Sequence, residues 1–212
     1  MSDFQDKFIY HITHVDNIAE ILNNGGLLSK NQISQNDVEY KNIAHQNIQD
    51  RRQETLVPCG AKGNLHDYIP FYFAPRSPML YVINSGNVDG YSGGQDEVVY
   101  WVTKVSEIIE NKLPFVFTDG HGTMALTEFY DQTSDLDQID WDLMKSIFWN
   151  DTEEDPDRKR RRQAEFLIHQ ECPATSLLGI GVKSDKMLEQ VQAIPEVTKL
   201  NLKVVIKPNW YF

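Results

Sequence analysis

The chain has 212 residues, long enough for one substantial hydrophobic core, and its 41% hydrophobic and 24% charged content is that of a globular protein. Aromatic residues make up 11%, which argues against disorder, and no apolar run approaches the ~18 residues of a membrane span. A net charge of −11 excludes a general DNA-coating protein, so any nucleic-acid contact must come from a local groove.

The N-terminal stretch MSDFQDKFIYHITH lacks the basic start and apolar centre of a secretory signal, which points to the cytoplasm. Residues 7–13 read as a strand. Residues 14–26 read as a helix with Val15, Ile18, Ile21 and Leu22 on one face, Asp16 as N-cap and Gly25-Gly26 as the stop. Residues 29–43 are polar and read as a loop, and 42–53 as a short helix. Residues 68–86 give a strand, a turn at Pro75 and Pro78, and an apolar helix ended by Gly86. Residues 97–105 and 113–119 are rich in β-branched and aromatic side chains and read as strands. The polar span 120–163 carries helical pieces near 123–131 and 141–149; strands follow at 163–170, 177–183 and 202–208, with a helix at about 185–193. Helices scattered among strands that do not alternate with them predict an α+β fold, and no repeat or linker divides residues 1–212, which read as a single domain.

Familiar catalytic signatures are absent. There is no GxxxxGK[ST], and GYSGGQDE (90–97) sits in no βα unit. The six histidines show no metal-ligand spacing, so no metal site is expected, and Cys59 and Cys172 read as free thiols. What stands out is RKRRRQAEFL (158–167). A period of two puts Ala164, Phe166 and Ile168 on one strand face and Glu165, Leu167 and His169 on the other. A carboxylate in a core-like strand must be solvated, paired, or facing a cleft. Residues 151–157 carry five acids and 158–162 five cations, so the segment is neutral and reads as a self-pairing loop from which at most a few cations reach a ligand. By themselves, His11 with Thr13 fit a satisfied strand end, and Arg51-Arg52 fit a surface helix.

Taken in order and spacing, YHITHVDNIAEIL (10–22), GLLS (26–29), NIQDRR (47–52), FYFAPRSPMLY (71–81), LPFVFTDGHG (113–122) and RQAEFL (162–167) resemble the DarT toxins. These are DNA ADP-ribosyltransferases of bacterial toxin–antitoxin pairs, and the resemblance is to the thymidine-modifying branch. It implies an ADP-ribosyltransferase fold, a split, mostly antiparallel β core with surrounding helices and an NAD cleft. It further implies transfer of ADP-ribose from NAD to thymidine in single-stranded DNA, with release of nicotinamide and a block to replication. Carried onto this sequence, Glu165 and Arg51 are the expected catalytic residues. His11, Ile12, Thr13, Ile21, Ser29 and Arg51 are expected to hold NAD, under a loop-helix of residues 36–53. Arg76, Ser77, Pro78, Met79, Leu80, Tyr81 and His121 are expected to meet DNA, with the stretch 119–164 as the recognition loop. The implied partners are single-stranded DNA and a macrodomain antitoxin of the DarG type, with no membrane. Two alternatives remain at this level: transfer to RNA or protein, and a non-catalytic binding module in which Glu165 and Arg51 are structural.

Overall fold

The computed structural model describes residues 4–212; Met1 to Asp3, part of the stretch read for a signal, lie outside the described residues. In chain order the elements are β1 (Phe8–His14), α1 (Ile18–Asn23), β2 (Gly26–Leu28), α2 (Lys30–Gln35), α3 (Gln46–Glu54), β3 (Tyr68–Tyr72) and α4 (Pro78–Asn84). They continue with β4 (Val98–Lys104), α5 (Val105–Glu110), β5 (Phe115–Thr118), β6 (Phe129–Tyr130), α6 (Trp141–Lys145) and α7 (Arg158–Arg161). The last are β7 (Glu165–His169), β8 (Glu171–Pro173), β9 (Gly179–Val182), α8 (Asp185–Gln192), α9 (Pro195–Lys199) and β10 (Val204–Ile206).

Eight strands form one sheet in the order β10-β9-β4-β1-β3-β7-β5-β6, antiparallel throughout except for the β10–β9 pair. β2 and β8 form a separate two-stranded sheet. This is the expected α+β architecture with a mostly antiparallel core. The split is visible in the register. β1 pairs with β4 along its whole length, from Phe8↔Lys104 to His14↔Val98, but meets β3 only at Tyr10↔Tyr72. Beyond that point β3 continues with β7, and the sheet opens between its two halves.

The alternation expected for 164–169 holds. Ala164, Phe166 and Ile168 pack with Phe71, Trp101 and Ile180 in a core closed by Ile18 and Leu22 of α1, Ile108 of α5, and Met187 and Val191 of α8. On the opposite face Tyr100, Val102, Tyr10 and Tyr72 pack under Leu80 and Ile83 of α4 and the C-terminal Tyr211. Both faces of the central strands are therefore covered, which is why their sequence is apolar and aromatic throughout.

Four local expectations need correction. The helix after β1 starts as a 3-10 turn, Val15–Asn17, and its cap is His14: Asp16 N–H donates to His14 Nδ1 at 3.1 Å. Asp16 lies one residue too far into the turn to cap it. The polar stretch 29–43 is not all loop, because Ser29 accepts the Gln32 N–H and starts α2. Residues 123–131 are not helical: Phe129 and Tyr130 pair with Thr118 and Phe117 as an edge strand, and Tyr130 stacks on Phe117. In the other expected helical piece of this span, 141–149, only Trp141–Lys145 is helical.

Candidate active site

The opening of the sheet is the cleft. Its cavity of about 420 Å³ is walled by His11, Ile12 and Thr13 of β1, by Ile69, Pro70 and Tyr72 of β3, and by Glu165 at the start of β7. Residues 38–45 form a further wall without regular structure, and Ile48, Gln49 and Arg52 of α3 complete that side. The volume falls in the range of small-molecule and cofactor sites.

Glu165 lies directly opposite Tyr72 in the β3–β7 ladder and is only 2% exposed. Its main-chain N–H donates to Thr118 Oγ1 at 3.1 Å, which fixes the strand start. The side chain is paired: Arg52 Nη1 donates to Oε2 at 2.8 Å and Oε1 at 3.1 Å, and Gly122 N–H approaches Oε1 at 3.4 Å. A buried carboxylate with a buried guanidinium, itself 7% exposed, meets the pairing requirement set by desolvation. Arg52 Nη2 is buried and has no acceptor among the described residues. An orphan donor beside a carboxylate, both facing a cavity, fits a ligand that offers hydroxyl or phosphate oxygens.

His11 donates from Nδ1 to the Pro70 carbonyl at 2.9 Å; the carbonyl can only accept, so Nε2 is left as an acceptor. Burial pushes the His11 imidazole down to about 4, only partly offset by the bond to Pro70. His121 also lines the cavity. Burial holds it below the usual histidine range, with the Glu165 carboxylate partly opposing. Because Thr123 N–H donates to His121 Nδ1 at 3.2 Å, the neutral ring carries its proton on Nε2. Ile21 lines the cavity from α1; Ser29 does not, being buried as the cap of α2, but its neighbours Leu28 and Lys30 do.

Arg51 is placed differently from the expectation. It is exposed, donates to the Thr123 carbonyl at 2.8 Å, and is not among the cavity-lining residues. Consecutive helical residues point about 100° apart, and the cavity face of α3 is the one carrying Ile48, Gln49 and Arg52. The i, i+4 relation from Ile48 to Arg52 was the signal available in the sequence. Tyr72, whose hydroxyl is held above the usual phenol range chiefly by burial and then by Glu165, was also missed.

Of residues 76–81, Ser77 and Leu80 are buried, 1% and 0% exposed, and do not line the cavity, while Pro78, buried at the start of α4, borders it. Ser77 caps the helix through Leu80 N–H. Tyr81 is half exposed, Met79 reaches the cavity, and the Arg76 guanidinium lies over the Phe212 ring at 4.6 Å. The cation run is largely answered, but not only by the acids before it. Arg160 binds Asp157 and, from the far side, Asp119; Arg161 pairs with Asp155, Asp157 and Asp140. Arg162 is buried against the Pro75 carbonyl, while Lys159 stays exposed at the cavity wall. Among the described residues no group of three or more His, Cys, Asp or Glu could hold a metal ion.

The family described as "ssDNA thymidine ADP-ribosyltransferase, DarT" matches residues 10–212. This chain belongs to the DarT family. A DNA ADP-ribosyl transferase of Thermus sp. (strain 2.9) is 40% identical over 208 residues, covering 96% of this chain and 95% of that one. The structure of Thermus sp. 2.9 DarT in complex with ADP-ribosylated ssDNA superimposes with a TM-score of 0.90 at 38% identity, covering 98% of this chain and 97% of that one. That of Thermus sp. 2.9 DarT with NAD+ gives a TM-score of 0.86 at 36% identity, covering 98% of both chains. A more distant relative in Thermosipho africanus, 23% identical over 96% of this chain and 49% of its own length, is a DNA ADP-ribosyl transferase–DNA ADP-ribosyl glycohydrolase fusion protein.

Proposed function

We infer that this chain uses the cleft between β1 and β3 to transfer ADP-ribose from NAD to thymidine in single-stranded DNA. The enzyme is an NAD-dependent DNA ADP-ribosyltransferase, as its family and its NAD-bound and ADP-ribosylated-DNA-bound relatives establish. The observation that carries the residue roles is the buried Glu165–Arg52 pair facing the cavity.

Nicotinamide leaves as a neutral molecule, so positive charge gathers on the anomeric carbon of the ribose. Glu165 is the catalytic carboxylate: it holds a ribose hydroxyl and faces that charge as it develops. Arg52 orients Glu165, and its free Nη2 takes a second oxygen of the dinucleotide. His11 accepts from a hydroxyl through Nε2, beside Ile12 and Thr13. The acceptor is a thymine ring nitrogen, which loses its proton to solvent water as the new glycosidic bond forms and nicotinamide leaves. A guanidinium stays protonated in proteins and makes a poor base, so Arg52 acts through charge, while Arg51 lies outside the cavity and takes no part in the transfer. His121, with Nε2–H free, suits a thymine carbonyl. Arg76, Met79, Tyr81 and Lys159 are the side chains of the rim available to the DNA strand.

The strands of the eight-stranded sheet are drawn from the chain between Phe8 and Ile206, which supports a single transferase domain. A partner that hydrolyses the mark, a macrodomain antitoxin, follows from the distant relative that carries both activities in one chain. Among the described residues no helix is long and apolar enough to cross a membrane, and a DNA substrate supports a cytoplasmic location. The test is incubation with labelled NAD and, in parallel, thymine-containing DNA, thymine-free DNA, RNA and protein, followed by mass spectrometry of the product. Label confined to thymine in DNA is expected. Label on RNA or protein instead overturns the acceptor, and absence of transfer overturns the enzyme reading.

A further inference from the structure

The wall formed by residues 38–45 has no helix or strand of its own, yet every residue in it borders the cavity. Such a segment covers a ligand only if side chains from outside hold it, because its own backbone supplies few bonds. One side chain does this from below. Asn17 is buried at the end of the 3-10 turn that follows β1. Its Oδ1 accepts the Lys41 N–H at 2.7 Å and its Nδ2 donates to the Lys41 carbonyl at 3.0 Å, so one amide grips both polar groups of one strap residue. The same Nδ2 donates to Thr13 Oγ1 at 2.9 Å. Asn17 thus ties the middle of the strap to the β1 segment that forms the opposite wall.

Three further attachments accompany this clip. The Lys41 ammonium pairs with Asp16 at 3.3 Å, Tyr40 is engaged by Lys30, and Ile43 is buried beside Ile12 and Leu80. None of them fixes the main chain at residue 41. A donor and an acceptor on one rigid amide, matched to an N–H and a C=O, set both the height and the tilt of the strap over the cleft.

We propose that Asn17 is a positioning residue for the dinucleotide: it holds the 38–45 strap at the height that closes over NAD, and has no part in binding DNA. This rests on the cleft being the NAD site. Asn17→Ala removes all three bonds. Asn17→Asp keeps an acceptor for the Lys41 N–H but turns a second oxygen toward the Lys41 carbonyl, so it is expected to behave much like Ala.

The experiment is steady-state transfer to a thymine-containing oligonucleotide by wild type, Asn17→Ala and Asn17→Asp. The expected result is a rise in KM for NAD of about tenfold or more, equivalent to about 1.4 kcal/mol, with kcat and the KM for oligonucleotide within about twofold. An unchanged KM for NAD, or equal rises in both KM values, overturns the proposal. Wild type lacking transfer would instead refute the functional reading, so the two failures are distinguishable. Should the variants not fold, amide hydrogen exchange on the wild-type enzyme decides. The Lys41 amide must be protected if Asn17 holds it, and exchange at the rate of a free loop overturns the inference.

Discussion

At Glu165 the cost of burying a carboxylate is met by Arg52, and the proposed reaction calls for a carboxylate at this place. That neighbour alters what substitution should do. Removing the carboxylate leaves a buried guanidinium unpaired, a change that costs about 3–5 kcal/mol. Glu165→Ala is therefore expected to lower the melting temperature as well as abolish transfer, whereas Glu165→Gln keeps an acceptor for Arg52 and isolates the chemistry. For Glu165→Gln, kcat should fall ~10²–10⁴-fold with little loss of thermal stability; near wild-type kcat would remove Glu165 from its role. Arg52→Ala should behave like Glu165→Ala on both readouts, and Arg51→Ala should stay within about tenfold of wild type. The reverse ranking in a side-by-side assay would restore Arg51 to the site. That Glu165 is out of place was legible in the sequence, because a lone charge in an apolar strand contradicts its surroundings, whereas its proposed catalytic role came from the resemblance. The choice between two adjacent arginines was not legible, since it turns on which helix face meets the cavity. His11 adds a pH dependence. Its folded-state value of about 4 lies below the ordinary 6.5, so as pH falls through 6.5 the unfolded chain takes up a proton that the native chain refuses. Native stability should fall between pH 6.5 and about 4 and level off below. Chemical denaturation across this window should show a shallower slope for His11→Gln; identical slopes would mean that His11 is not held neutral.

At the scale of elements, the longer strands of the sheet were readable from β-branched and aromatic runs and the helix after β1 from its apolar face, but the two- and three-residue strands β2, β6 and β8 were not. The span between β5 and β7 was not. Its shape is set by partners far apart in sequence. Arg160 in α7 clamps Asp119, at the end of β5, through bonds of 3.1 and 3.2 Å, and holds Asp157 through two of 2.8 Å. Thr127 Oγ1 lies 3.3 Å from the same guanidinium. Local pattern suggested that the acids of 151–157 would answer the cations, but Asp119 and Asp140 come from elsewhere in the chain. This clamp fixes the loop that carries His121 over the cleft, so Arg160→Ala should act on DNA more than on NAD. The expected outcome is a loss of about tenfold in kcat/KM for oligonucleotide, with the KM for NAD unchanged and partial recovery in Arg160→Lys, which keeps the charge but not the fork. A uniform loss in both substrates would mean that the clamp supports the fold and not the recognition loop.

For the whole molecule, a net charge of −11 has to coexist with a polyanionic substrate. Phosphate contacts make binding weaken with salt, with a slope of about −0.7 per contact on single strands. The number of cations free to make such contacts is small. Arg160 and Arg161 are bound to carboxylates, Arg52 to Glu165, and Arg162 is buried against a main-chain carbonyl. Lys30, Arg51, Arg76, Arg158 and Lys159 are the basic side chains near the cleft without a carboxylate partner among the described residues, which sets the slope at no steeper than about −3.5. Repulsion between the acidic body and DNA works in the opposite sense, because salt screens it. Between 50 and 200 mM salt the affinity for a short thymine-containing oligonucleotide should therefore change by about a hundredfold or less, measured by fluorescence anisotropy with Glu165→Gln to prevent turnover. A fall of ~10³-fold would require six or more phosphate contacts, and with them a basic surface that this fold does not present at the cleft. Affinity must then come from the base seated against the cavity wall and its immediate neighbours, which is the arrangement that makes an acidic protein selective for an unpaired thymine over the duplex around it.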